Sequence, residues 1–371
     1  MYDILKLNKI ATVATDELGS NYNCVDECDA PVGILVRSAK MHDMEMPESL
    51  LAIARAGAGV NNIPLDKCSD LGICVFNTPG ANANAVKELV IAGLLLASRK
   101  VAQGIMWEQS LKDDPDSLKA VEKGKSQFVG PEIMGKTLGV VGLGAIGRLV
   151  AGAAIALGMK VVGYDPYVPQ TLPEGVEVVP LMDDVFAKSD YITLHLPLLD
   201  STKGSINKDT IVKMKDGVRI LNFARDGLVV STDIIDALAS GKIAAYVTDF
   251  ATNDLLGVDG VVAIPHLGAS TPESEDNCAV MAAQEIKDYI ENGNVKNSVN
   301  FPCVSLDKSG EKRYCVLSKG DFDTSVIDGT IANKASKERN GLVYTIVDAN
   351  GASVDEDKIK AVDNVVKVRI L

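Results

Sequence analysis

The stretch TLGVVGLGAIGRLVAGAAIALGMKVVGYD, residues 137–165, decides how the rest of the chain is read. It runs as apolar strand, glycine turn, helix, second apolar strand and terminal acid. Gly142 permits a tight turn without a Cβ, Gly144 lets backbone approach a pyrophosphate, and Gly147 lets the following helix pack closely on its strand. The helix N-terminus then holds phosphates. Asp165 comes eighteen residues after Gly147, at the end of KVVGY. A carboxylate there accepts hydrogen bonds from a ribose 2′-hydroxyl and repels a 2′-phosphate, and the next two residues, Pro166 and Tyr167, include no arginine. The pattern predicts a dinucleotide site with NAD favoured over NADP. Glycines at this spacing alone are weak evidence; the ordered strand, turn, helix, strand and acid carry the reading. About 140 residues precede the stretch, enough for a separate domain.

Working outward, 371 residues with 47% hydrophobic content and a mean hydropathy of +0.13 suit two or three domains with ordinary cores. A net charge of −13 and a pI near 4.8 argue against nucleic acid or an anionic membrane as partner, because phosphates are repelled and no basic patch offsets this. The first residues, MYDILKLNKIATVA, lack the basic start and long apolar core of a signal peptide, and LVIAGLLLA (89–97) is too short to span a bilayer. Seven scattered cysteines make no disulfide framework, so a reducing cytoplasm is expected. Cys24 and Cys28 have the spacing of a metal pair, yet no second pair completes a tetrahedral set, and the three histidines, His42, His195 and His266, are isolated from one another. No metal site is expected.

Before Ala102, short β-rich runs at 32–38 and 72–78 alternate with helical stretches at 47–56 and 84–100, which predicts a small α/β domain. From 103 to 271 six strands recur at the spacing of a doubly wound parallel sheet: LGVVGLG, KVVGYD, YITLHLP, VRILNFA, AAYVTDF and VVAIPH. Residues 271–293 predict a helix from a Thr cap to Gly293. Residues 301–371 are polar with β-rich segments RYCVL, GLVYTIVD and VVKVRI, and read as a small α+β appendage. GPEIMGKT (130–137) matches the P-loop letter for letter, but it leads into an apolar strand rather than a helix and is rejected.

Ligands of open α/β sheets bind beyond the carboxyl ends of the strands. Arg225 ends ILNFAR, Asp249 and Asp254 follow AAYVT, and His266 ends VVAIPH. Together they supply an anion clamp, carboxylates and a group that exchanges protons near neutral pH, the set needed for hydride transfer at a 2-hydroxy acid. Each alone reads more simply, as a surface ion pair, a cap or a core histidine. Their shared place at strand ends argues for a site. His195, within LHLPL, fits a structural or cofactor-side role, and His42 beside charged residues fits a solvated surface.

These motifs closely resemble the D-2-hydroxyacid dehydrogenases: GLGAIG with Asp165, HLPL (195–198), NFAR (222–225) and HLGAST (266–271), over nearly all of residues 5–300. RAGAGVNNI (55–63) and NTPGANANAVKELV (77–90) look like the phosphoglycerate dehydrogenase branch. The resemblance implies a Rossmann doubly wound parallel sheet (103–271) inserted in a smaller flavodoxin-like α/β substrate domain (1–102 with 272–300). A degenerate, regulatory ACT-like domain (301–371) would follow, with substrate in the cleft of the first two and a homodimer or tetramer formed through the cofactor domain. The implied reaction is NAD-dependent oxidation of D-3-phosphoglycerate to 3-phosphohydroxypyruvate, opening serine biosynthesis. His266 looks like the acid/base and Arg225 like the substrate-orienting arginine. Arg37, Arg55 and the backbone at Gly59 and Val60 resemble phosphate or carboxylate contacts. Cofactor contacts are implied at Gly142, Gly144, Ala145, Ile146, Gly147, Asp165, Pro166, His195, Pro197, Phe223, Ala224, Asp249 and Gly268.

The chain departs from the family in three places. Asp254 stands where the family has a Glu as third catalytic member, one methylene shorter beside His266. Asp226 replaces a usual Gly next to Arg225. In the tail, the first helix of the ACT-like domain is shortened to SKGDFDTSVIDG, which argues against serine feedback. A hydroxypyruvate or glyoxylate reductase is the nearest alternative, and a non-catalytic NAD-sensing interaction protein is the alternative from another class.

Overall fold

Residues 2–77 form five short apolar strands, and their near-continuous hydrophobic runs, such as GILV, are those of a parallel sheet covered on both faces. In the computed structural model, which describes residues 1–371, they are β1 (Tyr2–Leu7), β2 (Tyr22–Val25), β3 (Gly33–Val36), β4 (Ala52–Arg55) and β5 (Cys74–Asn77). Helices α1 (Val13–Leu18) and α2 (Leu65–Asp70) connect two of the pairs. The sheet order β2-β1-β3-β4-β5, parallel throughout, is the flavodoxin-like one. One expectation fails here: 47–56 is not a helix. Ala52, Ile53 and Ala54 belong to β4, paired with β3 and β5, and short apolar runs do not reveal their period.

The chain then builds a second unit, Ala83–Thr271, before returning to the first, Met1–Asn82 with Pro272–Leu371. The second unit opens with α3 (Ala83–Ser98), α4 (Val101–Ser110) and α5 (Ser117–Gly124). It continues as β6 (Thr137–Val141), α6 (Ala145–Ala156), β7 (Lys160–Tyr164), β8 (Val176–Val178), α7 (Met182–Lys188), β9 (Tyr191–Leu194) and α8 (Lys208–Ile211). β10 (Val218–Asn222), α9 (Ser231–Ala239), β11 (Ile243–Thr248) and β12 (Val261–Ala263) complete it. Its seven strands are parallel in the order β12-β11-β10-β9-β6-β7-β8, so the winding reverses where β6 meets β9. Six of them are the expected ones; β8, a three-residue edge strand, is additional.

The boundary after residue 102 also shifts. Val86, Val90, Leu94 and Ala97 of α3 share a core with Leu138, Val140, Leu221 and Phe223, so this helix belongs to the second unit. Gly93 makes the fit: a Cβ there would stand 2.6 Å from the Phe223 ring. No single helix in the chain is long and apolar enough to cross a membrane. The P-loop look-alike is a loop ahead of β6, and its Gly130 is required because a Cβ would meet the Ser98 carbonyl oxygen at 1.9 Å.

Back in the first unit, α10 (Pro272–Asn292) is followed by β13 (Lys312–Lys319), β14 (Thr330–Arg339), β15 (Leu342–Asn350), α11 (Glu356–Lys360) and β16 (Val365–Ile370). The four strands form an antiparallel sheet, β14-β15-β13-β16. β14, absent from the sequence reading, is polar and exposed along almost its whole length. One face of the sheet, with Cys315, Leu317, Tyr344 and Ile346, joins the core of Ile4, Phe76, Ile286 and Tyr289. Residues 301–371 therefore share a core with the first unit, where the sequence reading had drawn a separate appendage. Carbonyls in the last turn of α10 and just past it accept from side chains of this sheet. Arg369 donates to the Tyr289 and Ile290 oxygens (2.9 and 2.6 Å), Arg313 to Asn292 (2.8 Å) and Tyr344 to Gly293 (2.7 Å). Arg313 is itself held by a buried, two-pronged pair with Asp348 at 2.7 and 2.8 Å.

Candidate functional site

In the second unit the glycine turn between β6 and α6 has the predicted construction. Gly142 takes φ 97°, and a Cβ there would press on the His195 carbonyl at 2.6 Å. Gly147 approaches the Gly142 carbonyl so closely that a Cβ would sit 1.9 Å from it, while Gly144 faces open space. Gly144 caps α6 without any side-chain hydrogen bond, and Ala145 and Ile146 form the first turn, whose amides are the natural partners of an anion. Asp165 leaves β7 with one carboxylate oxygen accepting the Leu143 N–H at 2.7 Å and the other accepting the Tyr167 N–H at 2.8 Å. The acid thus also closes the glycine turn. Pro166 lies between Asp165 and Tyr167, which is exposed.

At the next strand end, His195 donates its backbone N–H to Val141 (2.8 Å), and its Nε2 lies 3.0 Å from the Thr193 hydroxyl. Burial pushes its imidazole down to about 4, so it is neutral at physiological pH. A neutral, tethered ring suits a structural or cofactor-side role. Pro197 follows in the exposed connection to α8.

After β10, Asn222 organises NFAR. Its carboxamide donates to the Arg225 carbonyl (2.8 Å) and accepts from the Ala224 N–H (3.2 Å). Phe223 turns inward into the core beneath α3, so its side chain is structural and only its backbone is left to meet a ligand. Arg225 is exposed, and its guanidinium lies 5.6 Å from the centre of the Phe250 ring. His266 packs on the same ring, 4.3 Å between centroids, so Phe250 touches both residues picked out for chemistry. Neither Phe250 nor Asn222 had been singled out from sequence; each is an immediate neighbour of a residue that had.

The carboxylates differ from expectation. Asp254 is exposed in the turn after β11, and no hydrogen bond or ion pair joins it to His266. Asp249 is 4% exposed, and its Oδ2 lies 3.3 Å from where a Gly268 Cβ would be, beside the 266–268 turn. Burial raises the Asp249 carboxyl above the ordinary range; His266, the Gly268 N–H and Arg225 pull it partly back. Its Oδ1 is buried without a partner, a vacancy that a ligand amide would fill. Together with the open face at Gly144, this fits a nicotinamide dinucleotide. Asp226, the other departure, is exposed at the start of a 3-10 turn.

In the first unit, Arg37 follows β3 and Arg55 ends the adjacent β4. Arg55 Nε donates to the Arg37 carbonyl at 3.0 Å. Gly57, at φ 138°, leaves room for the Arg55 guanidinium, and its N–H is held by the Thr78 hydroxyl at 2.7 Å. Gly59 and Val60 lie half-buried in the same loop. Arg37 is paired with Glu275 of α10 at 2.8 Å. Sequence reading missed Glu275, whose only signal was its place among acids at a helix start.

Comparison with known proteins places this geometry. The family model described as "D-isomer specific 2-hydroxyacid dehydrogenase, NAD binding domain" matches residues 92–268. A D-3-phosphoglycerate dehydrogenase of Methanocaldococcus jannaschii is 36% identical over 318 residues, 81% of this chain and 59% of that protein. A hydroxypyruvate reductase of Thermotoga maritima is 41% identical over 266 residues, 68% of this chain and 83% of that protein. Among solved structures, an NAD+-bound 3-phosphoglycerate dehydrogenase of Entamoeba histolytica superposes with a TM-score of 0.62 at 28% identity, covering 81% of this chain and 98% of that one. The chain spans only 59% of the length of the M. jannaschii protein.

Proposed function

The chain belongs to the D-isomer specific 2-hydroxyacid dehydrogenase family, and from that premise we propose that it oxidises D-3-phosphoglycerate to 3-phosphohydroxypyruvate with NAD, the opening step of phosphorylated serine biosynthesis. The observation that carries the reading is the grouping of Arg225 and His266 on the Phe250 ring, with the buried Asp249 beside the 266–268 turn. The cofactor supplies the hydride acceptor. Gly142, Gly144 and Gly147 with the first turn of α6 would hold its pyrophosphate, Asp165 its ribose hydroxyls, and Asp249 its carboxamide. His195, Pro197, Ala224 and Gly268 would line the same side.

In this reading an imidazole nitrogen of His266 takes the substrate hydroxyl proton as the C2 hydrogen leaves, and returns it in the reverse direction. Arg225 holds the substrate carboxylate and developing carbonyl through its forked donors. Arg37 and Arg55 meet the phosphate, with the Gly59 and Val60 amides as a carboxylate cradle. Residues 301–371 are read as a degenerate ACT-like module. The strand order second-third-first-fourth supports this, while the single 3-10 turn at Thr324–Val326, in place of a first helix, argues against effector binding there. Seven free thiols suit a reducing cytoplasm. Apolar residues exposed on α4 and α5 support a homo-oligomer built through the second unit.

The decisive assay follows NADH absorbance with D-3-phosphoglycerate, and in reverse with phosphohydroxypyruvate. Turnover in either direction is expected; absence in both overturns the reading. Hydroxypyruvate or glyoxylate reduction is the second reading, favoured by the carboxylate already seated on Arg37.

A further inference from the structure

We propose that Glu275 is a specificity-determining residue that competes with the substrate phosphate for Arg37. This rests on the reading that Arg37 and Arg55 receive that phosphate. The two arginines emerge from the ends of neighbouring parallel strands, and the Arg55 Nε to Arg37 carbonyl bond ties the Arg55 side chain to the Arg37 backbone. The Glu275 carboxylate occupies the Arg37 guanidinium at 2.8 Å, so it sets one negative charge where a dianionic phosphate would arrive.

The pair has the features of an exchangeable contact. The side chains of Arg37 and Glu275 remain 42% and 43% exposed, so water competes at both ends and the bridge adds little to folding. Glu275 lies in the first turn of a 21-residue helix, which fixes its backbone beside the end of β3. The carboxylate therefore stays close whether or not Arg37 is engaged elsewhere. A phosphate arriving at Arg37 must displace Glu275 or share the guanidinium with it. Sharing sets a monoanion against a dianion about 6 Å apart, a repulsion worth roughly tenfold in affinity in water before salt screening. A 2-hydroxy acid without a phosphate presents no second anion to Arg37 and escapes the penalty. Glu275 thus narrows the margin by which phosphorylated acids are preferred over plain ones.

The test compares the full chain with Glu275→Gln and Glu275→Asp on D-3-phosphoglycerate and D-glycerate, with inorganic phosphate titrated calorimetrically as an activity-independent probe. Glu275→Gln should lower KM for the phosphorylated acid by about threefold to tenfold, tighten phosphate binding in parallel and lose both effects in high salt, with KM for glycerate moving less than twofold. Glu275→Asp, which keeps the charge, should stay close to the parent protein. An unchanged KM and phosphate affinity in Glu275→Gln overturn the proposal; a raised KM overturns it in favour of Glu275 as a brace for Arg37. Arg37→Ala separates the two levels. If it raises KM for the phosphorylated acid only, the phosphate reading stands and Glu275→Gln alone judges the competition. If it changes neither KM nor phosphate binding, both fall.

Discussion

Asp249 and Asp254 both follow β11, and their surroundings separate them. Asp249 is buried beside the 266–268 turn, whereas Asp254 is solvated and unattached. Replacing Asp249 by Asn should lower kcat by about tenfold to a hundredfold, while Asp254→Asn stays within about threefold, as steady-state rates would reveal. A second residue-scale expectation concerns Glu285 of α10, buried with Oε2 unpartnered and Oε1 accepting from Asn297 at 2.7 Å. Burial lifts its carboxyl from 4.5 to about 8. The native state keeps a proton that the unfolded chain releases, so stability falls as pH rises through that window and stays low above it. Glu285→Gln should match the parent near pH 4 and exceed it by on the order of a few kcal/mol at pH 9, read from thermal melts. Arg225 and His266 were legible in the sequence because each ends an apolar run. Glu275 was not, because its meaning comes from Arg37, a partner brought to it only by folding.

At the scale of elements, α4 and α5 bury no residue of their own, although Ile105, Met106 and Leu118 are apolar and Met106 and Leu118 are 72% and 83% exposed. Helices with such faces are stabilised by packing rather than propensity, so a second copy is the expected cover. On the proposed homo-oligomer, the double substitution Met106→Asp and Leu118→Asp should leave only monomer in light scattering, without loss of the seven-stranded sheet; an unchanged mass would argue against a seam at these helices. Which elements could be read in advance follows from the same physics. Strands buried on both faces announced themselves as apolar runs. β14 did not, because an exposed polar edge strand has no period to detect, and β8 is too short to show one. The segment 47–56 misled because its apolar residues suit either period until β3 and β5 are present to pair with.

For the whole molecule, the antiparallel sheet is part of the structure of the first unit. Ending the chain at residue 300 would uncover Tyr289 and Ile290, which pack with Tyr344 and Ile346, and remove the side-chain donors to the Tyr289, Ile290, Asn292 and Gly293 carbonyls. Such a truncation should lower the melting temperature of the first unit by well over 10 °C or abolish its folding, while the second unit still binds NAD in a fluorescence titration. The second unit is one continuous stretch, whereas the first needs strands from both of its segments. During synthesis the order of completion is therefore set in advance. Residues 83–271 are free to fold as soon as they leave the ribosome, but Arg369 is added almost 290 residues after Asn82. At roughly 5–20 residues per second, the opening β-strands wait about 15–60 s for the residues that complete their core, an interval in which a nascent chain depends on chaperones.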